Sequence, residues 1–217
     1  PALVPLVLDG DFHAPLSGVS QRVEIIVRSE GSKPVRVPGA MLWTHFGVSG
    51  PAALDASRYW LRDRTARLTA NLLPGLNVDL AEDTFVRLAR EQPRSHLRNV
   101  LAALLPAQVA AAVVVKLGLQ GDIPMSHFPR GDRRTLVQAL IEWPLPVRDS
   151  RGYNFAEVTA GGVPLTEIDP RTLASRRCPG LYLVGEILDV DGRIGGFNFQ
   201  WAWSSAWVAA LAIPDRL

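Results

Sequence analysis

Cysteine is almost missing from this sequence: Cys178 is the only one in 217 residues. A lone thiol forms no internal disulfide and does not by itself make a thiolate metal site. The four histidines lack the H-x-x-x-H spacing of paired ligands, so we expect no metal site. Low cysteine use is typical of proteins that work in a reducing cytoplasm, and that is the location we expect.

Long apolar runs and an excess of either charge are missing as well. The most apolar stretch, "NVLAALLPAQVAAAVVVKLGL", is interrupted by Pro106, Gln108 and Lys116, which argues against a bilayer-spanning helix. The 23 basic residues nearly balance the 21 acidic ones and are scattered along the chain. We therefore expect neither a membrane nor a nucleic acid as a partner.

Strand-like and helical patterns alternate along the chain. In residues 1–76, "RVEIIVRS" alternates polar and apolar side chains, as a half-buried strand does. Residues 77–142 show helical spacing, and strand patterns return in residues 143–160. The last zone, 161–217, runs from the apolar "GLYLVG" into a helix over about 198–212. These patterns predict an α+β, multi-domain fold, with helices inserted into a β-rich domain, an antiparallel sheet or barrel, that is followed by a strand–loop–helix unit of a different domain.

An acidic loop and a double glycine separate the last predicted strand from the last predicted helix. Glu186, Asp189 and Asp191 follow the strand, and their carboxylates accept hydrogen bonds from sugar or polyol hydroxyls. Gly195 and Gly196 permit close backbone approach by a ligand and precede a helix whose free N–H groups favour negative charge. This order predicts a bound ligand that carries hydroxyls and negative charge, such as a reduced flavin.

Three blocks of the chain resemble a known family. They are "PALVPL", "LWTHFGVSGPAALDASR" and "TAGGVPLTEIDPRTLASRRCPGLYLVGEILDVDGRIGGFNFQWAWSS". In this order they resemble the bacterial FAD-dependent oxidoreductases that include aminoacetone oxidase-like flavoproteins and a bile-acid reductase. The resemblance implies a discontinuous, Rossmann-like FAD-binding α/β domain that carries an inserted β-barrel and a small helical domain. Residues 161–217 then correspond to the C-terminal part of the FAD-binding domain.

The dinucleotide fingerprint of that family is missing from this chain. Its members open with a strand, a G-x-G-x-x-G turn and a helix, whereas "VTAGGV" and "GRIGG" do not have that spacing. The chain also begins without an initiator Met. We therefore expect it to be roughly the C-terminal half of such a flavoprotein.

The resemblance implies roles for individual residues near the double glycine. Gly185 and Glu186 match the strand-end pair whose acid faces the ribityl chain, the alternative being a solvated carboxylate. Asp189 and Asp191 either hold ribityl hydroxyls or order the turn. The segment Gly195-Gly196-Phe197-Asn198 matches the stretch that passes along the pyrimidine side of the flavin, the alternative being a plain helix entry.

Two further segments have competing interpretations. Thr159, Gly161 and Gly162 either bring the backbone close to the flavin ring and substrate, at the junction of barrel and FAD domain, or form a plain turn. His45 and Ser49 suggest a nucleophile pair, but "GVSGP" lacks the last glycine of the G-x-S-x-G elbow. A tight turn capped by Ser49 is the favoured interpretation of that segment, and Ser49 is the candidate N-cap of a short helix in "SGPAALDASRYW".

The function predicted first is that of the C-terminal portion of an FAD-dependent oxidoreductase, which holds the ribityl and isoalloxazine parts of the flavin and forms part of the substrate cavity. Its partners would be a small-molecule substrate and an electron donor such as NAD(P)H. No side chain is distinguished as a catalytic acid or base. The alternative is a non-catalytic binding module, or remnant, that has lost FAD binding together with the dinucleotide motif.

Overall fold

The computed structural model of this chain describes residues 1–213, so the last four residues of the predicted segment 161–217 lie outside the described part. Its contacts divide the chain into two compact units. One is Pro5–Arg151, and the other combines Pro1–Val4 with the chain from Gly152 onward. The domain boundaries at 76, 142 and 160 stay predictions, since the division between units falls at 151.

Seven strands, all from the unit Pro5–Arg151, form one antiparallel sheet in the order β6-β5-β2-β3-β4-β1-β7. They are β1 (Leu6–Leu8), β2 (Ser20–Arg28), β3 (Val35–Thr44), β4 (Gly47–Ser49), β5 (Arg67–Asn71), β6 (Trp143–Leu145) and β7 (Val147–Ser150). The strand patterns predicted before residue 76 are confirmed as members of this sheet, whereas the pattern predicted for residues 143–160 is confirmed only over Trp143–Ser150, because the following residues form a 3-10 turn (Tyr153–Phe155) and an isolated bridge at Val158.

The two edge strands of the sheet come from one continuous segment. β6 pairs with β5, and β7 pairs with β1 at the other edge, yet only Pro146 separates β6 from β7 along the chain. Because one proline joins them, the sheet curls until its two edges meet at this segment. This curl gives the sheet the barrel-like form that the sequence predicts.

Six α-helices lie within residues 1–213. They are α1 (Pro51–Arg62), α2 (Val78–Glu91), α3 (Leu97–Leu104), α4 (Ala107–Lys116), α5 (Arg130–Ile141) and α6 (Phe197–Ala212). Helices α2 to α5 lie between β5 and β6, which confirms the inserted helical segment. None of the helices in this range is both long and apolar enough to cross a membrane.

In β2, apolar side chains alternate with polar ones, so that one face of the sheet packs against the core. Val23, Ile25 and Val27 are buried, as expected when every second side chain of a strand points to the core. The helical insertion is tied to the sheet by a backbone hydrogen bond from Leu72 N–H to the carbonyl of Leu140 at 2.8 Å. Sheet and inserted helices therefore share one continuous core.

The start of α1 corrects one prediction. Ser49 is the last residue of β4 and pairs with Leu42, whereas the N-cap of α1 is Gly50, at φ +83° and without a capping side chain. Pro51 occupies the first turn, where its missing N–H costs little. No hydrogen bond joins Ser49 to His45 among the described contacts, and the His45 ring lies against Phe46 instead.

The apolar segment 181–184 is not a strand, contrary to the prediction. Tyr182 forms only an isolated antiparallel bridge with Ala174, and the side chains of Leu181 to Val184 are half-buried or exposed. A strand buried on both faces needs neighbours on each side, and no strand within residues 1–213 pairs there. The C-terminal helix, in contrast, is confirmed as α6.

His13, in the unit Pro5–Arg151, makes the stability of that unit depend on pH. Its side chain is 5% exposed, and burial lowers the pKa of His13, while a hydrogen bond to the backbone of His45 opposes that shift. The unfolded chain then binds a proton near the ordinary pKa of about 6.5, whereas the folded chain resists it. Stability is therefore full above this pKa and is lost as the pH falls towards the lower folded value.

We expect the free energy of unfolding, and with it the melting temperature, to fall less in His13→Gln than in the wild type between about pH 7.5 and pH 5, the difference in free energy being no more than about 1.4 kcal/mol for each unit by which the pKa of His13 is lowered. Thermal melts of the wild type and the variant at several pH values measure this. The control is His127→Gln, because His127 is exposed and its replacement should leave the slope unchanged. An unaltered slope in His13→Gln would contradict the assignment.

Candidate cofactor site

Helix α6 holds the backbone of Gly185 through both its N–H and its carbonyl. Its N–H donates to Ser205 Oγ at 2.9 Å, and its carbonyl accepts from the indole Nε1 of Trp201 at 3.0 Å. Ser205 is 2% exposed, so its hydroxyl is a buried, fully directed anchor. The predictions did not include Ser205 or Trp201; the local signal was the serine pair Ser204-Ser205 within a largely apolar helix.

Glu186 connects two segments that the sequence placed in different roles. One oxygen of its carboxylate, Oε1, accepts a hydrogen bond from the backbone N–H of Thr159 at 2.6 Å. The side chain therefore positions the Thr159 segment. The ribityl contact predicted for Glu186 stays a prediction.

Gly162 occupies a position that a side chain cannot share. Its φ is +131°, and a Cβ placed there would lie 2.3 Å from the carbonyl oxygen of Ile187. On either side of this contact, Val163 N–H donates to Ile187 at 2.8 Å and Asp189 N–H donates to Val163 at 3.0 Å. Gly161, at φ +91°, has open space around its Cβ position. The "TAGGV" segment is thus a packed turn paired with the Ile187 loop.

Asp189 and Asp191 lie on the loop that follows. The Asp189 side chain is exposed and that of Asp191 is half-buried. Neither contributes to the cavity described below. Their predicted contacts with ribityl hydroxyls stay predictions.

Asn198 folds the loop before α6 back onto the helix. Its Oδ1 accepts from Gly192 N–H at 2.8 Å, and its Nδ2 donates to the Gly192 carbonyl at 3.1 Å. Phe197 stacks under the guanidinium of Arg193, 4.4 Å from the ring centre. These contacts order the residues that lead into the double glycine.

A cavity of about 250 Å³ opens at the start of α6. Four predicted residues line it, namely Glu186, Gly195, Gly196 and Asn198, whereas Gly185, Phe197, Thr159, Gly161 and Gly162 do not. Its other lining residues are Leu3, Glu157, Val158, Ile194, Phe199 and Ala202.

The first turn of α6 gives this cavity a positive end. Gly196 is the N-cap in the left-handed conformation, no side chain caps the helix, and no acidic residue lies in its first turn. The unpaired N–H groups of this turn favour negative charge. A Cβ at Gly196 would meet no atom within 4 Å, so the backbone is open to a ligand there. The uncapped helix start thus offers N–H groups to a negatively charged group, while the carboxylates of Glu157 and Glu186 also line the cavity.

Comparisons with known proteins show which proteins this chain is similar to. The family model described as HI0933-like protein barrel and H2TH domain matches residues 1–158. The ribosomal RNA dihydrouridine synthase of Escherichia coli is 42% identical over 171 residues, and that of Haemophilus influenzae is 36% identical over 205 residues. The 3-dehydro-bile acid delta(4,6)-reductase of Clostridium scindens is 28% identical over 220 residues.

The matches cover most of this chain but only part of each relative. They include 78%, 94% and 100% of the chain, and 41%, 49% and 54% of the respective relatives. The chain thus spans about half the length of the curated relatives it matches. The predicted kinship with a bile-acid reductase is confirmed, whereas the ribosomal RNA dihydrouridine synthases were not foreseen.

Replacing the two glycines of the packed turn separates their roles. Gly161→Ala should cost roughly 1–2 kcal/mol, the penalty for a side chain at positive φ. Gly162→Ala should cost more, because its Cβ would also displace the Ile187 carbonyl. Hydrogen exchange of the Val163 and Asp189 amides measures the local opening. Equal protection in the two variants would contradict the close approach at Gly162.

Proposed function

Because the chain belongs to the HI0933-like family of barrel and H2TH proteins, we propose that it forms the C-terminal part of an FAD-dependent oxidoreductase. The observation that carries the proposal is the cavity at the uncapped start of α6. Its open glycine backbone and positive helix end suit the pyrimidine edge of a reduced flavin, where negative charge is spread over N1 and O2. The bile-acid reductase relative supports the oxidoreductase class.

The chain's own residues would hold the ribityl and isoalloxazine parts of the cofactor. Gly195, Gly196 and Asn198 line the cavity and would lie along the pyrimidine side, with the neighbouring Phe197 completing the segment. Glu186 would offer its second carboxylate oxygen to the ribityl chain. When bound, FAD would supply the hydride of the reaction.

The residues around the cavity would act by position and charge. Ser205 and Trp201 fix the Gly185 peptide, which keeps the Glu186 carboxylate at the cavity wall. The unpaired N–H groups of α6 would stabilise negative charge on the ring. Thr159, Gly161 and Gly162 would border the substrate, with Thr159 positioned through its hydrogen bond to Glu186.

The names of the relatives suggest a common substrate chemistry. Forming dihydrouridine from uridine saturates a carbon–carbon double bond that is conjugated with a carbonyl, and a delta(4,6)-reductase acting on a 3-dehydro bile acid does the same. We propose that the longer protein containing this chain reduces such a bond, and that uridine in ribosomal RNA is its substrate. The higher identity to the dihydrouridine synthases favours RNA over a steroid.

This substrate departs from the expectation that excluded nucleic acid and named a small molecule. The overall reaction adds a hydride and a proton across the double bond, so an electron donor must regenerate the reduced flavin. We propose NAD(P)H as that donor and the cytoplasm as the location of the protein.

Titration of the purified 217-residue chain with FAD tests the cofactor assignment. We expect visible absorption bands of bound oxidised flavin and quenching of FAD fluorescence, since the α6 cavity lies wholly within this chain. A folded chain that stays colourless, together with a longer protein that also binds no flavin, would support the non-catalytic binding module instead.

Two matched substitutions on α6 test the role of the helix end. Phe199 lines the cavity and is 70% exposed, whereas Trp203 is 68% exposed and lies one turn further on. Phe199→Glu should weaken binding of reduced flavin at least about fivefold, because the new carboxylate competes for the positive helix end. Trp203→Glu should change this affinity little. Equal effects of the two substitutions, measured by anaerobic titration, would contradict the proposed position of the flavin.

A further inference from the structure

Two carboxylates line the cavity at the start of α6, and they differ in what they contact within the chain. Glu186 accepts a hydrogen bond from the backbone N–H of Thr159. The side chain of Glu157 is exposed, and its carboxylate forms neither a hydrogen bond nor an ion pair with any residue of the range 1–213. The charged group of Glu157 is therefore left for a ligand of the cavity.

The backbone of Glu157 is held in place by the first residues of the chain. Its N–H donates to the carbonyl of Leu3 at 3.1 Å, and the next residue, Val158, forms an antiparallel bridge with Ala2. Leu3 is 1% exposed and has φ +51°, a left-handed conformation that is uncommon outside glycine and persists where the surroundings fix it. The opening segment "PALV" thus keeps Glu157 at the wall of the cavity.

The cavity presents hydrogen-bond donors and acceptors to the same ligand. The donors are the unpaired N–H groups in the first turn of α6. The acceptors are the oxygens of Glu157, since an ionised carboxylate only accepts hydrogen bonds. A ligand that pairs with both must carry a carbonyl oxygen beside an N–H. An imide edge, in which an N–H lies between two carbonyls, has this pattern.

We infer that Glu157 accepts a hydrogen bond from the imide N–H of the ligand in this cavity. The pyrimidine ring of a flavin carries such an edge, with N3–H between two carbonyls, and a uracil base carries the same edge. N3 keeps its hydrogen in both oxidised and reduced flavin, so this contact is compatible with the negative charge that the helix end stabilises. The inference rests on the proposed function and deepens it, because it assigns the residue that recognises the imide edge.

FAD methylated at N3 tests the contact without any change to the protein. The methyl group replaces the imide hydrogen and leaves the carbonyls and the ribityl chain intact. We expect the 217-residue chain to bind this analogue at least about tenfold more weakly than FAD, the loss of one hydrogen bond to a charged group. Titrations followed by flavin fluorescence measure both affinities, in this chain and in the longer protein that contains it.

Substitution of Glu157 separates the lost hydrogen bond from the bulk of the methyl group. Glu157→Ala should weaken FAD binding about tenfold and remove most of the preference for FAD over the methylated analogue. Glu157→Gln keeps a carbonyl oxygen at the end of the side chain, so it should retain part of that preference. The control is Glu30→Ala, at an exposed glutamate of the unit Pro5–Arg151, which should leave both affinities unchanged.

A second pair of ligands distinguishes a flavin from a uracil base as the source of the imide. A labelled single-stranded oligouridylate and its counterpart built from 3-methyluridine are compared by fluorescence anisotropy, with and without FAD. A preference for the unmodified RNA that Glu157→Ala removes, together with equal binding of the two flavins, would assign Glu157 to the uracil base.

The inference is overturned if both flavins and both RNAs bind alike, or if Glu157→Ala leaves every preference intact. Flavin binding together with either result would leave the proposed function standing without Glu157. If neither this chain nor the longer protein binds flavin, the proposed function fails. The inference then stands only on a preference for unmodified RNA that depends on Glu157, and without that preference both are overturned.

Discussion

The structure of the unit Pro5–Arg151 depends on one constraint: the segment Trp143–Ser150 must pair with both edges of the sheet. Trp143 lies opposite Ala70 of β5, and Ser150 lies opposite Leu6 of β1. Unpaired edge strands attract other chains, and this segment takes up both edges at once. The inserted helices must therefore return the chain to the sheet at a defined place, which the hydrogen bond between Leu72 and Leu140 marks.

Helix α6 differs from the sheet because it has a largely apolar surface and few polar contacts. It is apolar on nearly all sides, and Phe199, Trp203, Trp207 and Leu211 form an exposed row at four-residue spacing. Such a helix is typical of the interior of a larger structure, in agreement with relatives about twice as long as this chain. Its few polar contacts, above all that of Ser205 with Gly185, determine how the loop before it lies against the helix.

Local patterns predicted most of the helices and the sheet strands, because apolar spacing follows directly from the geometry of each element. They failed at Leu181–Val184, where a short apolar run is not enough to form a strand without neighbouring strands to pair with. They also misplaced the cap of α1, since Ser49 is used by β4. The double glycine before α6 was recognised, but the hydrogen bond from Thr159 to Glu186 joins residues 27 apart and leaves no local signal.

The sequence by itself determined the element types, the inserted helices, the family resemblance and the glycine-rich entry to α6, because these depend on side-chain spacing and on backbone freedom along a few residues. Only the tertiary structure decided which predicted residues share a cavity, and that the carboxylate of Glu186 holds Thr159. Both depend on contacts between segments far apart in the chain, which leave no signal in the local sequence.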